Sequence, residues 1–87
     1  MKSLLLIIIS LVGSSIAWSQ SERSLIREGN RQYKDNKYTD AEVNYRKALE
    51  KNKNLRQGTF NLGDALYKQG RFAEAVDQYS AAAASAS

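Results

Sequence analysis

The chain is self-similar at a spacing of 34 residues, and that period restricts its fold more than any other property. Displaced by 34 positions, Gly29 falls on Gly63, Tyr33 on Tyr67, Lys34 on Lys68, Ala41 on Ala75, Tyr45 on Tyr79 and Ala48 on Ala82. Conservative matches extend the register: Tyr38 falls on Phe72, Lys37 on Arg71 and Asp40 on Glu74. Asn36 falls on Gly70, where a turn residue able to adopt positive φ is needed. A unit this short cannot bury its apolar stripe alone, so neighbouring units must stack.

Within each unit the apolar and small residues recur at helical spacing. Leu62, Gly63, Leu66 and Tyr67 mark a first helix, and Phe72, Ala75, Val76, Tyr79 and Ala82 a second. With no proline and only 5 glycines, composition favours helices over a turn-rich β fold. The spacing predicts helices over 22–35, 39–52, 55–69 and 73–84, an all-α architecture of two tandem hairpins. Thr39 with Glu42, and Asn54 with Gln57, have capping-box spacing and are expected to open the second and third helices. Gly29 and Gly63 are expected to let one helix approach its partner, and Ala41, Ala75 and Ala48 to receive the bulk of Tyr45, Tyr79 and Leu49.

Ahead of the repeats, Met1-Lys2-Ser3 is a short positive start, followed by an apolar run from Leu4 to Val12 broken only by Ser10. Gly13-Ser14-Ser15 closes the run, and Ala17-Trp18-Ser19 offers small residues where a signal peptidase pocket requires them. A signal peptide over 1–19 is expected, with Gln20 as the new N-terminus. The alternative is an uncleaved leader helix that anchors a membrane-held assembly subunit, although Leu4 to Trp18 is about 15 residues and a spanning helix needs about 20. Without a cysteine after the apolar run, a bacterial lipoprotein is excluded.

The remaining residues, roughly 68, form one small domain, too small for a large catalytic cleft. The first unit occupies 20–53 and the second 54–87, with an Ala/Ser-rich tail from Ser80. Absence of cysteine and histidine removes thiol nucleophiles, disulfides, soft-ligand zinc sites and imidazole acid/base chemistry. Nine carboxylates are dispersed over the helices, with no phosphate-binding loop, so no enzyme chemistry and no cofactor is expected. The net charge of +4 becomes +3 once Lys2 leaves with the leader, and bases alternate with acids from Glu22 to Arg56. That pattern reads as solvated helix surface, with no nucleic-acid partner.

Gly29, Tyr33, Ala41, Tyr45 and Ala48, and above all the run Asn61 to Ala75 with Leu62-Gly63, Tyr67 and Phe72, resemble the tetratricopeptide repeat. The first unit is looser: Glu28 stands where Leu is usual, Gln32 where a large apolar residue is usual, and Lys53 replaces the closing proline. Polar residues there suit an N-terminal unit whose outer face has no neighbour. More narrowly, the runs Ser21 to Asn30 and Tyr38 to Glu50 look like the exported repeat proteins of Bacteroides aerotolerance (Bat) clusters, of the BatC type. That resemblance implies a scaffold in the periplasm or on the periplasmic face of the inner membrane, beside membrane-anchored partners with von Willebrand A domains.

Stacked hairpins of this kind curve, and the first helix of each unit lines the inner surface. The groove residues expected there are Arg23, Arg27, Asn30, Tyr33 and Lys34 from the first unit, then Phe60, Asn61, Asp64, Tyr67 and Lys68 from the second, with Ile26 and Gln57 beside them. Asn30 and Asn61 resemble the asparagines that hold a peptide backbone in carboxylate-clamping repeats, against the simpler reading that they are solvated polar groups. Ile26 stands where the clamp's first lysine belongs. Tyr33 and Tyr67 suit either a recognition surface or the crease of the hairpin. The tail from Ser80 has little bulk to bury, so a fragment of a longer array, or a module completed by self-association or a partner, is expected, with marginal stability alone.

Overall fold

A computed structural model describes residues 21–85, and the leader reading falls outside them. The described residues form four α-helices: α1 (Glu22–Lys34), α2 (Tyr38–Lys51), α3 (Arg56–Lys68) and α4 (Phe72–Ala84). Each begins and ends within one residue of the helix predicted from periodicity. Helices adjacent in sequence pack together, α1 with α2, α2 with α3 and α3 with α4. Beyond these pairs only α1 and α3 meet, and lightly. Two hairpins thus stack through α2 and α3, leaving an open seam between α1 and α3.

Both hairpin turns are built the same way. Asn36 (φ 63°) and Gly70 (φ 78°) take the left-handed conformation. The N–H of Lys37 donates to the Gln32 carbonyl at 2.8 Å and that of Asn36 to Tyr33 at 3.0 Å. One repeat later, Arg71 donates to Leu66 at 3.0 Å and Gly70 to Tyr67 at 2.9 Å. This paired closure satisfies the last carbonyls of the first helix and reverses the chain. Asparagine reaches that conformation at modest cost because its short polar side chain tolerates it.

Neither capping box forms. The α2 helix starts one residue early at Tyr38, with Lys37 at its cap and no side-chain hydrogen bond there. Thr39 therefore lies inside the first turn. Glu42 instead turns toward the second hairpin and is buried. At α3 the cap position is Leu55, again without a side-chain bond. Asn54 donates its N–H to Asn52 Oδ1 at 3.0 Å, and Gln57 reaches along the helix to Asn61. The side-chain cap that does form is at α1, where Ser21 Oγ accepts from the Ser24 N–H at 3.1 Å.

The core joins Ala41, Tyr45, Leu62, Ala65, Leu66 and Ala75, with Ile26, Tyr33, Leu49 and Tyr79 packed against it. The tyrosine rings seat on glycines: a Cβ at Gly29 would lie 2.5 Å from Tyr45 Cε1, and one at Gly63 2.6 Å from Tyr79 Cε1. The polar residues at apolar positions of the first unit find partners. Glu28 pairs with Arg31, and Gln32 Oε1 accepts from Asn44 Nδ2 at 2.7 Å.

Glu42 ties the hairpins together. Its carboxylate accepts from Arg46 Nε at 2.9 Å on its own helix, and from Arg71 at 2.7 Å and Gln69 Nε2 at 3.0 Å across the interface. Burial by itself would raise this carboxyl. The donors Gln69 and Arg46, together with the charge of Arg71, overcome that and hold it below the ordinary carboxylate value.

Two outcomes follow from this packing. Gly29→Ala gains about 1 kcal/mol of helix propensity but drives a methyl into a buried ring whose hydroxyl is also held, an overpacking cost of about 1–3 kcal/mol. The clash wins: the urea midpoint falls, and falls further than for Gly63→Ala, because the half-buried Tyr79 can tilt aside. For Glu42, the folded-state value lies below the unfolded one, so its contribution is complete above about pH 4.5 and is lost as pH drops through the folded value. In pH-dependent denaturation, Glu42→Gln loses less stability on acidification than the parent protein does.

Candidate peptide-binding face

The periodicity that buries Leu25, Gly29, Leu62, Gly63 and Leu66 turns the intervening residues of α1 and α3 toward the open seam. Two clefts line it. The larger, about 460 Å³, takes in Glu22, Arg23, Ile26, Arg27 and Asn30 from α1 and Leu55, Gln57 and Gly58 at the start of the second unit. The smaller, about 280 Å³, is lined by Asn30, Tyr33, Lys34, Tyr45, Asn61 and Asp64. A third depression, bordered by Arg56, Gln57 and Phe60, sits at the equivalent place one repeat on.

Of the ten expected groove residues, Arg23, Arg27, Asn30, Tyr33, Lys34, Phe60, Asn61 and Asp64 thus border these depressions. Tyr67 and Lys68 are exposed on α3 and line none of them. Leu55 and Gly58 complete the larger cleft and escaped notice in the sequence. The signal was a glycine in the first turn of α3, one repeat after Ser24. A Cβ there would meet Ile26 Cδ1 at 3.1 Å and Leu49 Cδ2 at 3.3 Å, so the glycine lets those side chains pack on the α3 backbone beneath the cleft.

A hydrogen-bonded chain spans the seam. Tyr45 donates its hydroxyl to Asn30 Oδ1 at 2.7 Å, and Asn61 Nδ2 donates to the same oxygen at 3.1 Å. Gln57 Nε2 in turn donates to Asn61 Oδ1 at 2.7 Å. The two asparagines are therefore structural ties as well as surface groups, and Asn30 keeps its amide N–H₂ for another acceptor. In the second unit Asp64 takes the place of Asn30, accepting the Tyr79 hydroxyl at 2.5 Å. A neutral acceptor in one repeat becomes a carboxylate in the next.

The aromatic residues divide between seam and crease. Tyr33 packs edge-on against Tyr38, centroids 5.2 Å apart, and Tyr67 does the same with Phe72 at 5.1 Å. Each pair closes the crease of its own hairpin. Tyr33 also walls the smaller cleft, whereas Tyr67 remains 55% exposed. Phe60 tilts over Tyr79 at 5.3 Å and stays 47% exposed.

Burial, reinforced by the nearby Tyr33 and Asp64, pushes the Tyr45 phenol up to about 12. Burial and then the bond to Asp64 push Tyr79 up as well. Tyr33 is raised by burial and by the charge of Asp64. A tyrosine raised in the fold releases its proton first from the unfolded chain, so folding stability drops as pH climbs above the ordinary value of 10.0. An alkaline titration followed by phenolate absorbance is expected to show late ionisations that coincide with loss of helical circular dichroism. Tyr45→Phe removes one of them and costs about 1 kcal/mol, because Asn30 Oδ1 retains its bond from Asn61.

The model of the tetratricopeptide repeat family matches residues 26–87, more than half of the chain. No curated protein matches it. With two tandem helical hairpins and tyrosines seated on glycines at a period of 34, the chain belongs to the tetratricopeptide repeat family.

Proposed function

We propose that this protein is an exported, non-enzymatic scaffold that holds a peptide or helix of a partner protein along the α1/α3 seam. Tetratricopeptide repeats in general are protein–protein interaction modules. The observation that carries the groove reading is the seam itself: two first helices that barely touch, bridged by the Asn30–Asn61 bond, with clefts on both sides of the bridge. A polypeptide lying there meets apolar walls at Ile26 and Phe60, spare amide hydrogens at Asn30, and the cations Arg23, Arg27 and Lys34.

Export rests on the sequence of residues 1–19. A place beside membrane-anchored von Willebrand A domain proteins in a Bat-type aerotolerance complex rests on the resemblance of Ser21 to Asn30 and Tyr38 to Glu50. Among the described residues no helix is long and apolar enough to cross a membrane.

Photo-cross-linking in cells, with probes at Lys34 and Phe60, is expected to trap one discrete partner that a probe at Lys47 on α2 does not. Equal capture at Lys47 would overturn the groove assignment. N-terminal sequencing of the exported protein is expected to begin at Gln20, and an intact Met1 would favour the anchored subunit.

A further inference from the structure

The arginines divide sharply by location. Arg31 pairs with Glu28, Arg46 with Glu42, and Arg71 with both Glu42 and Glu74. Among the described residues the three that form no ion pair are Arg23, Arg27 and Arg56, and all three border the depressions at the N-terminal ends of α1 and α3. The single acid on that border is Glu22, in the first turn of α1, where a negative charge complements the helix dipole. One edge of the seam therefore presents three exposed guanidinium groups around apolar floors at Ile26, Leu55 and Phe60.

From this charge pattern we infer that the seam's N-terminal edge receives an acidic polypeptide segment. An aliphatic side chain of that segment enters the Ile26/Leu55/Gly58 cleft, and Asp or Glu carboxylates flanking it engage Arg23, Arg27 and Arg56. The inference rests on the groove reading and names the chemistry of its occupant. A guanidinium fork matches a carboxylate in two parallel hydrogen bonds, so arginine at these positions selects planar anions more sharply than lysine would. A cleft of about 460 Å³ lies in the lower part of the range of ~300–1,000 Å³ typical of ligand sites, room for one side chain and its adjoining backbone. Gly58 lies buried at its base, where Ile26, Leu49 and Leu55 pack directly on the backbone, so the apolar surface offered to a ligand is that of Ile26 and Leu55. The carboxylates are those of Asp and Glu side chains, which a peptide capped at both ends isolates.

The test uses the full chain and a fluorescein-labelled peptide, capped at both ends, in which one leucine is flanked on each side by two acidic residues. Fluorescence anisotropy is expected to show saturable binding that weakens about tenfold or more when the acids become glutamines, and also when the leucine becomes alanine. Raising salt from about 50 mM to about 500 mM should weaken it as well. Arg23→Glu with Arg27→Glu, both exposed and with helicity checked by circular dichroism, should abolish binding, while the control Lys47→Glu should not. Equal binding of the glutamine peptide, or an unchanged affinity in the double variant, would overturn the inference. So would failure of the acidic peptide alongside sedimentation with anionic phospholipid vesicles that the double variant loses, since that would assign the arginines to a lipid surface. If the probes at Lys34 and Phe60 trap a partner while the acidic peptide does not bind, the occupant's chemistry is wrong and the groove reading stands. If neither experiment succeeds, the groove reading falls with it.

Discussion

A tyrosine ring laid on a glycine is the contact on which both hairpins depend. Tyr45 covers Gly29 and Tyr79 covers Gly63 at distances that leave no room for a methyl group. The close approach lets the ring bury fully in the first unit, where Tyr45 is 2% exposed. It also sends the hydroxyl through to the seam, where Asn30 or Asp64 accepts it. One residue thereby sets the spacing of the hairpin and fixes a polar group of the inner face. Packing and groove layout cannot be varied independently at these positions, because a ring displaced from its glycine withdraws its hydroxyl from the groove acceptor.

The two units share this frame and differ in what they place on it. Where the first has a neutral Asn30, the second has Asp64, and where the first has Ile26, the second has Phe60. The largest contrast is at Glu42, whose counterpart one repeat later is Val76. Glu42 is 8% exposed because the second hairpin covers it, and it survives burial through three donors. An unpaired carboxylate there would carry a desolvation cost. Val76 is 58% exposed and has no such partners to satisfy. The interface between hairpins therefore has a polar clasp at its rim, while the corresponding face of α4 is apolar.

Sequence periodicity carries most of this fold because a helical repeat is written in short-range terms. Four helices, the two left-handed turn residues and the glycine positions all follow from spacing at 3.6 and 34 residues. The caps at Thr39 and Asn54 were misread because a capping box is a local pattern that tertiary demand overrides. Glu42 has the right spacing to cap but a stronger use 29 residues away at Arg71. For the inner face, helical phase placed eight of the ten expected residues of α1 and α3 beside the depressions and misplaced Tyr67 and Lys68. It could not reveal that Asn30 and Asn61 bond to each other, nor that Leu55 and Gly58 close a cleft against Ile26. Those are contacts between units, and they depend on the angle at which hairpins stack, which no single repeat encodes. The pairing of arginines is mostly local by contrast: Arg31 lies three residues after Glu28 on one helix face and pairs with it, Arg27 directly precedes Glu28 and does not, and only Arg71–Glu42 spans the units.

The unpaired arginines bear on function because they cost the fold so little. An exposed ion pair contributes about 0–1 kcal/mol, so nothing in the stability of α1 or α3 compels Arg23, Arg27 or Arg56 to find an acid within the chain. Their solitude is compatible with folding and leaves their field unspent. Arg23 and Arg27, one helical turn apart on α1, reinforce each other within the ~8–10 Å that charge acts in physiological salt, whereas Arg31, Arg46 and Arg71 are largely neutralised by their own partners. A mild net charge of +4 is thus presented unevenly, with the seam edge more positive than the average surface. On the inferred reading, such unevenness would steer an acidic segment toward the apolar floors before any close contact forms. The short-range fit at Ile26, Leu55 and Gly58 then has only to discriminate among the segments that the field delivers.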